Sequence, residues 1–178
     1  MSPPFATSEA KATSIYLGRV GDVFYDPANP QNAYMLVDCQ SALITGEIVV
    51  INESGQASKA TSTSVGLLGV MASDVSASDF AAWAQIEGSN ATALATSGAT
   101  TAGFIMVPVT TDYGYVDILT TTEANAVFGA RLISAPDTAT TAGDSGLGGT
   151  AILGLATIRM KRGGAFVYGL ANNHGLSS

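Results

Sequence analysis

Few side chains in this sequence are equipped for chemistry, and their spacing works against most of it. Gly143-Asp144-Ser145-Gly146 presents a hydroxyl among small residues. A serine attacks only when a neighbouring base removes its proton. The one histidine, His174, follows that serine and lies close to the end of the chain. One cysteine and one histidine cannot build a zinc site. The chain also lacks the alternating Asp spacing of a calcium loop and the Gly-Lys loop that cradles phosphates. Asp112 and Asp117 would serve glycoside hydrolysis as paired carboxylates if both faced a cleft, though acidic residues beside strands are ordinarily solvated. Phe80, Trp83, Tyr113 and Tyr115 offer aromatic faces to a sugar or a base, but core packing is the simpler role for Phe80 and one tyrosine. Trp83 falls on the strand face opposite Phe80 and Ile86. Either both faces are buried or Trp83 meets a partner, which makes it the interface candidate. The residues therefore predict no catalytic centre, no metal and no cofactor, and a protein that is not an enzyme.

Composition points toward surfaces that other proteins cover. Hydrophobic residues make up 47% of the 178, and charged residues only 12%, about half the usual globular share. Thr, Ser, Gly, Asn and Gln fill the polar positions, and such a surface loses little hydration when covered. An extracellular β-domain with a Ser/Thr-rich skin has the same composition. The net charge of −7 argues against nucleic acid as a partner, because neutralising phosphates takes many Lys and Arg. Of the seven basic residues, three gather at Arg159, Lys161 and Arg162. They read as a solvated strand end, with an acidic docking partner as the other reading. Cys39, the only cysteine, excludes an intrachain disulfide and reads as a small buried hydrophobe. No run approaches the length of a membrane helix. The opening Met-Ser-Pro-Pro-Phe lacks the features of a signal peptide, which predicts synthesis in a reducing cytoplasm.

The elements that must position these residues read as strands. Residues 1–13 carry Pro3, Pro4 and Phe5 among small polar residues and read as an extended arm. Strands are expected at 14–20, 34–37, 47–51, 65–71, 80–86, 104–109, 115–119, 126–134, 151–160 and 165–170. Asp26-Pro-Ala-Asn-Pro30 and Asn52-Glu-Ser-Gly55 supply turn chemistry between them. Gly88 is expected to end its strand, and Pro108 to mark an edge or an end. Thr120–Ala126 has room for one helical turn capped by Thr122. Short strands at this spacing, with no long helical periodicity, predict an all-β sandwich or barrel over 14–178, with 120–178 completing the sheet or adding a second lobe.

Two resemblances bear on function. Gly143-Asp-Ser-Gly146 resembles the nucleophile motif of chymotrypsin-like serine proteases, but Leu147 stands where that family has a second glycine, and the histidine falls on the wrong side. More of the chain is involved in the second. Leu43-Ile-Thr-Gly-Glu-Ile-Val-Val-Ile-Asn52, Val65-Gly-Leu-Leu-Gly-Val-Met-Ala-Ser-Asp74 and Trp83-Ala-Gln-Ile-Glu-Gly88 follow one another in order. In this order they resemble the decoration (cement) proteins of tailed-bacteriophage capsids. The resemblance implies a β-tulip-like fold and a homotrimer on the virion surface, binding the major capsid protein and neither nucleic acid nor membrane. It also makes Pro3, Pro4 and Phe5 part of a capsid-docking arm. A head-fibre base or tail-tube subunit fits many of the same features, as does a carbohydrate-binding β-sandwich.

Overall fold

Thirteen strands account for the regular structure of the described residues, and no helix occurs among them. The computed structural model describes residues 10–11, 18–61, 64–76, 78, 80–95, 106–108, 116–118, 125–133, 154–161, 164 and 166–169. In chain order the strands are β1 (Ala10–Lys11), β2 (Val23–Tyr25), β3 (Ala33–Cys39), β4 (Ile48–Ile51), β5 (Gln56–Lys59), β6 (Gly66–Met71) and β7 (Phe80–Ala95). They continue with β8 (Met106–Pro108), β9 (Val116–Ile118), β10 (Asn125–Phe128), β11 (Ala130–Leu132), β12 (Gly154–Met160) and β13 (Phe166–Gly169). The expected all-β class is the observed one.

Five strands close on themselves. β3 pairs with β7, β7 with β6, β6 with β4 and β4 with β5, all antiparallel. A parallel pairing of Asp38 with Gln56 and Cys39 with Ala57 joins β5 back to β3 and completes the barrel. Closure removes sheet edges, which otherwise invite unwanted pairing. From β6 the hydrogen-bonded path runs on through β13, β10, β8 and β9, and returns to β7 where Ala95 meets Val116. β12 lines the second half of β7, and β11 lies outside β12. The strands of 120–178 thus continue the same sheet.

Strand alternation places buried residues on both faces of the barrel wall. Inside the barrel lie Ala33, Val37 and Cys39 of β3, Val49 and Ile51 of β4, and Ala82, Ala84 and Ile86 of β7, with Leu43, Met71 and Val75. Cys39 is buried, as its apolar surroundings predict. Outside the barrel wall, Tyr34, Leu36, Ala81 and Trp83 form a second cluster, joined by Phe24 and Ala72. Small residues inside let the strands approach. A Cβ on Gly69 would lie 3.0 Å from Ile51 Cδ1, 3.1 Å from Ala84 Cβ and 3.2 Å from Val49 Cγ2. The glycine-studded run therefore packs against neighbouring strands as its sequence suggests.

Several boundaries differ from expectation. Gly18–Val20 is not strand. Asp22 closes a turn there instead, its Oδ2 accepting from Arg19 N at 2.7 Å. The strand comes later, at β2, within what reads as turn sequence. β5 has no clear alternation of its own and is held by β4 on one side and β3 on the other. The expected strand over 126–134 is two, split at Gly129. Gly88 does not end its strand, because β7 continues through it to Ala95 with a new partner, β12. Pro108 is indeed the last residue of β8. Residues 120–124, including Thr122, lie outside the described residues.

Candidate docking surface

Shallow depressions open on the barrel among the described residues, and the loop of residues 26–32 frames the first. Asp26 organises that loop: its Oδ1 accepts from Ala28 N at 2.9 Å, and its Oδ2 from Asn29 Nδ2 at 3.2 Å. These bonds, the Ala28 amide foremost, hold the Asp26 carboxyl below its ordinary range. Tyr34 behaves oppositely. Burial raises its hydroxyl pKa, the Asp26 charge adds to the rise, and a side-chain hydrogen bond with Asn32 opposes both. The loop thereby sets Tyr25 and Pro30 along a depression of about 570 Å³, whose other walls include Glu87, Arg159 and Lys161. Tyr25 is 56% exposed there.

A second depression, about 320 Å³, adjoins the end of the β11–β12 hairpin, where Arg131, Arg159 and Lys161 line it with Gly129 and Ala130. The third, about 630 Å³, has Met35, Ile51, Val65 and Leu67 on its walls together with Glu53. Val65 is 62% exposed in it. β2 and β11 stand at the two ends of the strand order and have no outer partner among the described residues. Exposed Val23 and Tyr25 alternate on β2 with half-buried Phe24.

The predicted site residues fall in different places. Trp83 is only 6% exposed. It lies against Tyr34 and Leu36 in the outer cluster, with the Phe24 ring edge-on at 6.2 Å between centroids. Both faces of this stretch of β7 are therefore buried within the chain, and Trp83 underlies the surface instead of forming it. Pro3, Pro4 and Phe5 lie outside the described residues, as do Asp112, Ser145, Arg162 and His174. Within the segment read as an arm, Ala10 and Lys11 pair with Ala81 and Phe80 of β7, so its inner end is tied to the barrel.

Arg159 and Lys161 are exposed, as expected of a strand end. Sequence reasoning missed their companion Arg131, which β11 places directly opposite Arg159. It also missed Tyr25, which sits among turn residues. The available signal was weak: Gly129 breaks the apolar run and separates β10 from β11. No group of three or more potential metal ligands occurs among the described residues. Comparison with protein-family models, curated proteins and solved structures finds no match to this chain.

Proposed function

We propose that this chain is a structural virion protein that binds the outer surface of an icosahedral capsid as a homotrimer and cements neighbouring major capsid proteins. One observation carries the reading. The three stretches that resemble decoration proteins fall on β4, β6 and β7, which lie side by side in the closed barrel. Segments far apart in sequence thus form one continuous structural unit. The low share of charge, 12%, favours close packing against a shell. The outer strands β2 and β11 offer edges to which a partner's extended segment can add. A trimer that engages several capsid subunits at once gains avidity without new contacts. The role is one of binding, with no catalytic step.

The test is mass by light scattering, first alone and then after mixing with undecorated capsids. A discrete trimer that moves into the capsid fraction is the expected result. Long homopolymers in the absence of capsids would replace the reading with a tail-tube subunit. A monomer that ignores capsids would overturn it, and glycan binding would then be measured next.

A further inference from the structure

The β11–β12 hairpin concentrates positive charge on a chain that otherwise carries little. Arg131, Arg159 and Lys161 are three of seven basic residues, while the acidic residues number 14. The register sets Arg131 directly across from Arg159. Like charges facing each other across strands weaken a sheet. Folding alone would favour a carboxylate at one of these positions. Glu87 shares a depression with Arg159 and Lys161, but no carboxylate lines the one where Arg131 joins them.

Lys161 is held in place beside them. Its backbone N donates to Gly129 O at 2.7 Å. Gly129 has a φ of 85°, and a Cβ there would meet Lys161 Cε at 2.7 Å, Cδ at 2.9 Å and Cγ at 3.1 Å. The positive φ favours glycine here, and its missing side chain leaves room for the lysine stem. The three cations line one depression of about 320 Å³. Arg159 and Lys161 also line the neighbouring depression that holds Tyr25, an aromatic of the kind that anchors protein interfaces.

The geometry points to this corner as the docking surface for an acidic patch on a partner protein, its carboxylates received by Arg131, Arg159 and Lys161 and its apolar rim by Tyr25. The inference rests on the reading that the chain works by binding protein surfaces, and it names the chemistry of the partner. Guanidinium groups match carboxylates in a two-pronged geometry. A nucleic acid is the poorer occupant. Its phosphates extend beyond a small cationic corner toward a chain of net charge −7, whereas a local carboxylate cluster touches the corner alone.

The test is fluorescence anisotropy of a labelled hexaglutamate peptide with the full chain, with hexathymidylate as a second probe. Hexaglutamate is expected to bind at about 0.05 M salt and to weaken about tenfold or more at about 0.5 M, where screening is short-ranged. The R131Q/R159Q variant is expected to weaken binding about tenfold or more. Its Tm is expected to be no lower than that of the parent, because a like-charge pair has been removed. Absence of peptide binding, equal binding by the variant, or tighter binding of hexathymidylate would each overturn the proposal. A lowered Tm in the variant would overturn its premise. Capsid co-sedimentation fails independently: a chain that binds hexaglutamate but ignores capsids keeps this corner and loses the virion reading.

Discussion

Glu47 has no exposed surface, yet it is held in the barrel wall by two groups. Its Oε1 accepts from Lys59 Nζ at 2.6 Å, and its Oε2 from Ile44 N at 2.9 Å. Lys59 keeps 31% of its side chain in water, so the pair is buried at one end only. Lys59→Met leaves the carboxylate uncompensated and is expected to destabilise by about 2–3 kcal/mol, less than for a fully buried pair. Adding Glu47→Gln to that variant is expected to recover part of the loss, since the amide oxygen still accepts from Ile44. Urea unfolding of the two variants decides it. Asp26 carries a pH signature. Its folded carboxyl lies below the ordinary value of 3.8, so its contribution to stability is present above that value and is lost as pH falls through the folded pKa. Asp26→Asn is therefore expected to be less stable than the parent at neutral pH. The gap is expected to close on acidification, as read from urea midpoints across a pH series.

At the scale of the element, β7 organises the molecule. Its first half lies in the barrel between β3 and β6, and its second half pairs with β12. Gly88 stands at the change of partner with a φ of 114°, and a Cβ there would lie 2.9 Å from Asn32 Cα. Gly88→Ala combines backbone strain with this close approach, and is expected to destabilise by about 2 kcal/mol or more. The single tryptophan, Trp83, reports it directly: the variant's fluorescence unfolding midpoint is expected to fall. The same residue shows how sequence reading misplaces a boundary. A glycine after an apolar alternation looks like a terminator. Here it is a bend inside a longer strand, because β12, far along the chain, supplies the hydrogen bonds that continue it. β5 was hidden for a related reason, since its strand character comes from two neighbours and hardly from its own residues.

At the scale of the whole molecule, the chain closes a barrel and gathers cations at one hairpin. Strand alternation by itself determined the all-β class, the burial of Cys39, the turn at Asn52–Gly55 and the opposed faces of Phe80–Ile86. These follow from local rules: side chains alternate every second residue, and turns need residues that tolerate turn geometry. The resemblance-bearing stretches were also legible in sequence, but not their adjacency. Barrel closure through a parallel β3–β5 pairing depends on residues brought together from separate strands. So does the placement of Trp83, which the sequence left between core and interface and which Tyr34, Leu36 and Phe24 cover. The candidate docking corner was half visible. Arg159 and Lys161 stood out by their clustering, while Arg131 joined them only through the hairpin register. Local periodicity is written in the order of residues. Register, closure and charge opposition are set by which distant strands find each other, and those pairings exist only in the folded chain.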